Sequence, residues 1–141
     1  MRFHIPKKLK LAVIYARRDP TQYDSLNAER QEAICRDYCA NAGIRVLRSI
    51  RVCCGSADSL KLLQSLLQTL PPEVDTLLAV RFSDFAIYAP DLGRLCLCFQ
   101  CRNITVQSLD NPGPLYQHLP CLRPEDFTMA EARYMELMRQ K

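Results

Sequence analysis

The chain has 141 residues, 48% of them hydrophobic and 24% charged, with a net charge of +4. That suits one globular domain with a real core. It excludes a membrane span, because no apolar run approaches roughly 18 residues, and it permits contact with nucleic acid without requiring it.

The first nine residues form a basic extension within MRFHIPKKLK. No separate apolar core or small-residue cleavage site follows, so a signal peptide is not expected. Residues 10–16, KLAVIYA, are almost continuously apolar. That pattern fits a strand covered on both faces, as in a parallel sheet. RRDPTQYD breaks the strand at Pro20. Asp24 or Ser25 caps a helix running to Ala42, with Gly43 as its stop. Leu26, Ala33, Ile34, Tyr38 and Ala42 are its expected inner face.

IRVLRSIRV, residues 44–52, reads as a second strand, and CCGSADS as the loop after it. Leu60, Leu63, Leu67 and Leu70 recur at helical spacing, and Pro71-Pro72 ends that helix. VDTLLAV, residues 74–80, makes a third buried strand. Pro90 suits the first turn of the next helix, whose apolar positions include Leu92, Leu95, Cys96 and Phe99. ITVQSL, residues 104–109, is a fourth strand. A proline-rich connector over 111–127 leads to a last helix over 128–141, where Thr128 and Glu131 have capping-box spacing. The alternation β-α-β-α-β-α-β predicts an α/β fold. Its central, mainly parallel sheet of four to five strands has helices on both faces over residues 10–110.

Eight cysteines, at 35, 39, 53, 54, 96, 98, 101 and 121, raise the question of disulfides or metal. In a long α/β chain without a leader, reduced cytoplasmic thiols are expected. Cys96, Cys98 and Cys101 fall on a helix, where 96 and 98 point about 200° apart. Structural zinc sites instead pair a knuckle of two cysteines with a second pair elsewhere, so no metal and no cofactor are expected.

Several pieces in order resemble the catalytic domain of serine recombinases, the resolvases and invertases. They are Tyr15-Ala16-Arg17, then SLNAERQ at 25–31, then a Gly55 loop before a leucine helix, then VDTLLAVRFSDF, then ITVQSLD. The likeness spans about residues 8–110, with the last helix as a remnant of the family's dimerisation helix. The resemblance implies DNA strand exchange on mobile elements, through a serine esterified to a DNA 5′ end and arginines that hold the phosphate. The family's first arginine falls on Arg17. Its nucleophile falls on Asp19, and its next arginine on Ala57. The two arginines of its D-R-L-x-R signature fall on Asp84 and Ile87. An aspartate at the nucleophile position brings negative charge towards a phosphate, and an acyl-phosphate diester would be labile to water.

The expectation is therefore a catalytically inactive domain, a pseudoenzyme that binds. Arg17 is its candidate phosphate contact, unless it simply pairs with Asp19 or Asp84. DNA is bound weakly and without sequence preference, and a second copy or a related recombinase is the protein partner. No helix-turn-helix pattern fits within the 141 residues. One alternative is an active recombinase with a displaced nucleophile, such as Thr21, Ser25 or Ser83. Another is an α/β domain that binds a small anionic ligand, although the chain has no glycine-rich phosphate loop. His4 and His118 are read as surface residues.

Overall fold

The computed structural model describes residues 10–21, 26–85 and 89–110. Four strands, β1 (Leu11–Arg18), β2 (Arg45–Cys53), β3 (Thr76–Ala79) and β4 (Thr105–Ser108), alternate with α1 (Ala28–Ala42), α2 (Ser56–Thr69) and α3 (Ala89–Gln100). A short 3-10 turn, Phe82–Asp84, lies between β3 and α3. The strands pair in the order β2-β1-β3-β4, all parallel, as expected from helical crossovers. The expected connector over 111–127, the helix over 128–141, Ser25, Ile87, His4, His118 and Cys121 lie outside the described residues.

The continuous apolar run of β1 is explained by its central place. Ala12 to Ala16 are all buried, with odd and even residues on opposite faces. Val13 and Tyr15 join Leu77, Ala79 and Val106 under Leu63, Leu66 and Leu67 of α2 and Leu95, Cys96 and Phe99 of α3. Ala12, Ile14 and Leu78 form the other face, against Cys35 and Cys39 of α1.

Two boundaries differ from the pattern reading. The N-cap of α1 is Asn27, whose side chain accepts from the Arg30 amide at 2.8 Å, rather than Asp24 or Ser25. The stretch read as a loop after β2 already turns into α2 at Ser56, which brings Ser59 onto a helix. Gly43 does end α1, in the left-handed conformation at φ 71°.

The inner face of α1 is a correction. Gln31, Cys35 and Cys39 are buried, while Leu26, Ala33, Tyr38 and Ala42 are exposed and Ile34 is half-buried. A glutamine with both ends of its amide bonded sits inside at little cost, and cysteine packs as a small apolar group. Of the helix cysteines, Cys96 is buried and Cys98 half-buried, while Cys101 lies exposed just beyond α3. The described cysteines are free thiols, and no cluster of three metal-ligating side chains occurs among the described residues.

Candidate functional site

In an open parallel sheet the carboxyl ends of the strands are where functional loops collect. Here the end of β1, the β2–α2 turn and the 3-10 turn after β3 converge on Arg17. Its guanidinium is 4% exposed. Nε donates to the Asp84 carbonyl at 2.8 Å and Nη2 to the Ser83 carbonyl at 2.6 Å. Nη1 donates to the Cys54 carbonyl at 3.0 Å and reaches Asp19 Oδ2 at 3.4 Å. One side chain thus ties three chain segments together.

The main chain of Arg17 is held just as firmly. β3 pairs with β1 only as far as Ile14, so the β3 side of β1 is left open beyond it. Gln31 fills that gap. Its Oε1 accepts from the Arg17 amide at 3.0 Å, and its Nε2 donates to the Arg17 carbonyl at 2.7 Å and the Leu26 carbonyl at 2.8 Å. A side-chain amide here does the work of a neighbouring strand.

Asp19 lies in a turn closed on itself. Its Oδ1 accepts from the Thr21 amide at 2.9 Å and from the Thr21 hydroxyl at 2.6 Å. These bonds, with Arg17 beside them, hold the carboxyl below the usual carboxylate range. Asp84 is 2% exposed, and burial pushes its pKa up. Arg81 opposes that shift, donating its amide to Asp84 Oδ2 at 3.0 Å and its Nη2 to Oδ1 at 3.3 Å. Ala57 lies exposed in the first turn of α2.

Behind these groups sits a second bonded set that the sequence did not reveal. Tyr15 Oη and Ser59 Oγ are 2.6 Å apart, and Ser59 donates to the Phe85 carbonyl at 2.6 Å. The Tyr15 and Phe85 rings stack with centroids 6.0 Å apart. Burial pushes the Tyr15 hydroxyl up to about 12. Ser59 is fully buried, so it is no exposed nucleophile. No local signal marks it, because its partners lie 44 and 26 residues away.

The structure therefore brings Arg17, Asp19 and Asp84 together and leaves Ala57 at the rim. Among the described residues no hydroxyl bonds to Arg17. Thr21 bonds to Asp19, and Ser83, an exposed residue, contributes its carbonyl. For Arg17 to turn towards a phosphate, three carbonyls would have to give up their donor, at about 1–3 kcal/mol for each buried group left unmatched.

The same architecture occurs in solved structures. The N-terminal catalytic domain of TP901-1 integrase is 16% identical and superposes with a TM-score of 0.61, covering 93% of this chain and 98% of that one. The fold is that of a serine-recombinase catalytic domain. Two further structures agree with this resolvase-like assignment. The C-terminal catalytic domain of ISC1926 TnpA, an IS607-like serine recombinase, is 15% identical at a TM-score of 0.57, covering 90% of this chain and 98% of that one. A resolvase-family site-specific recombinase from Streptococcus pneumoniae is 12% identical at 0.57, covering 93% and 89%. No protein-family profile and no curated protein matches the chain by sequence. Among the described residues no helix is long and apolar enough to cross a membrane.

Proposed function

We propose that this resolvase-like domain binds without cutting: a recombinase scaffold that has exchanged phosphodiester chemistry for an internally closed polar cluster. One observation carries the reading. At the position of the family nucleophile stands Asp19, bonded to Thr21, and the adjacent Arg17 is buried on three carbonyls. A phosphate approaching this end of the sheet meets the Asp19 carboxylate and a cation already engaged, while Asp84 is buried against Arg81. The residues matching the other family arginines, Ala57 and Ile87, add no charge.

The partner that fits the surface is DNA held through its backbone. Arg18, Arg30, Arg45 and Arg48 are exposed, and none of them forms an ion pair among the described residues. Contacts of this kind carry no sequence information and weaken steeply with salt. Pairing with a second copy or a related recombinase is the reading to test next if DNA does not bind.

The test joins a cleavage assay to a binding assay. Native chain and the Asp19→Ser variant are incubated with supercoiled and duplex DNA, and covalent adducts are sought on denaturing gels. Neither should form an adduct, because restoring the hydroxyl does not free Arg17. An adduct with the native chain would overturn the reading. Duplex binding is followed across a salt series. Arg17→Ala should leave the salt slope unchanged, whereas Arg45→Ala with Arg48→Ala should make it shallower.

A further inference from the structure

The carboxyl end of α3 sorts its cysteines by depth. Cys96 is buried in the core, Cys98 is half-buried against the same core, and Cys101 is exposed just past the last helical residue. At a rise of about 1.5 Å and a turn of about 100° per residue, Cα atoms three residues apart on a helix lie about 5 Å from each other. That falls inside the range of roughly 4.4–6.8 Å over which a disulfide closes. The end of α3 is held in this shape. The Cys101 amide donates to the Leu97 carbonyl at 3.0 Å. The Arg102 and Asn103 amides then take carbonyls three residues back, Phe99 and Gln100, at 3.0 and 2.9 Å. This is the tighter turn in which side chains three apart draw into line. Asn103, at φ 59°, closes it in the left-handed conformation, and the Ile104 amide returns to the Phe99 carbonyl at 3.0 Å. Arg102 ties the same turn to α2 through the Leu67 carbonyl.

We propose that Cys98 and Cys101 form a reversible dithiol–disulfide site, oxidised by low-molecular-weight disulfides. The other described cysteines are poor rivals. The crossover α3 ends at the amino end of the sheet beside β4, whereas Cys53 and Cys54 lie at the carboxyl end of β2, the opposite edge strand. Cys35 and Cys39 are buried on the other face, under α1. Burial, with Cys101 beside it, holds the Cys98 thiol above its usual range. The order of events follows. The exposed Cys101, as thiolate, attacks one sulfur of the small disulfide, and the other sulfur leaves and takes up a proton. Cys98 then gives up its proton and attacks the Cys101 sulfur of the mixed disulfide, expelling the second small thiol. Two protein thiols are oxidised to one disulfide, and one small disulfide is reduced to two thiols. The inference is independent of the reading given to the Arg17 cluster.

Glutathione tests it in the full chain. The protein is equilibrated with reduced and oxidised glutathione at a series of ratios, the remaining thiols are blocked, and peptides are mapped by mass. The expected product has lost two hydrogens and carries the 98–101 bond within one chain. Cys98→Ala should leave Cys101 holding one glutathione, because nothing resolves the mixed disulfide. Cys101→Ser, at an exposed position, should slow oxidation of Cys98 at least about tenfold, since the accessible thiol is gone. A native Cys101 that stays glutathionylated, that bonds to any other cysteine of its own or a second chain, or that remains reduced at the most oxidising ratio would overturn the proposal. Oxidation of Cys98 at an undiminished rate in Cys101→Ser would overturn it too.

Discussion

The two faces of the sheet were built by different means. The face under α2 and α3 is closed by a large apolar cluster of leucine, phenylalanine and valine. Among the described residues the face under α1 has a small cluster around Ala12, Ile14, Cys35, Cys39 and Leu78, with a bonded glutamine at the end of β1. The first face resists through area removed from water, the second through hydrogen bonds that cannot be given up singly. The Arg17 cluster stands where both faces meet the carboxyl ends of the strands.

Mutations can separate these two kinds of stability. Phe99→Ala should have the largest effect, about 3–5 kcal/mol by denaturant unfolding, because a fully buried ring leaves a cavity. Gln31→Leu keeps the volume but strips the Arg17 amide and carbonyl of their partners. About 1–3 kcal/mol should be lost, and an equal loss from Gln31→Glu would mean that packing is not the issue. Tyr15→Phe removes one hydroxyl from a pair in which Ser59 still has the Phe85 carbonyl, so the expected cost is about 1 kcal/mol. Tyr38→Ser, at an exposed site on α1, should change stability by less than about 0.5 kcal/mol. A larger loss would sharpen the comparison by showing that the α1 face is covered after all.

The carboxylates supply a test by pH. The pKa of Asp84 is raised by folding, so the folded chain holds its proton more tightly than the unfolded one. The stability tied to that proton is complete below the unfolded value near 3.9 and is lost as pH rises through the folded one. Asp19 is shifted the other way, so its contribution is present above that unfolded value and disappears as pH falls through the folded one. Urea unfolding at several pH values from 3 to 7 should show Asp84→Asn gaining on the native chain as pH rises. Asp19→Asn should lose ground over the same range. Parallel curves for the two variants would mean that the carboxylates are not held as the geometry requires.

Much of the sheet was legible in the residues. β1 announces itself because a central parallel strand must be apolar on both faces, and Gly43 and Pro71-Pro72 mark helix ends for reasons of backbone geometry. The face of α1 was not legible. A hydrophobic pattern picks Leu26 and Tyr38 and passes over Gln31, since the burial of an amide depends on partners that only the folded chain supplies. The site divides in the same way. Arg17, Asp19 and Asp84 were singled out by their place in the resemblance, and Arg17 pairing with Asp19, which the structure shows, was among the readings. The Ser83, Asp84 and Cys54 carbonyls were not foreseen, because every residue type has one. Ser59 was hidden in a stretch that reads as a loop until α2 is seen to begin at Ser56.

The clasp of Gln31 on β1 has one more consequence, in time rather than in energy. The Arg17 amide is closed by a side chain carried on α1 and not by a strand, so it meets solvent whenever α1 lifts, even if the sheet stays whole. Its hydrogen-exchange rate is therefore a clock for that single helix, readable against the Ile14 amide a few residues earlier in the same strand.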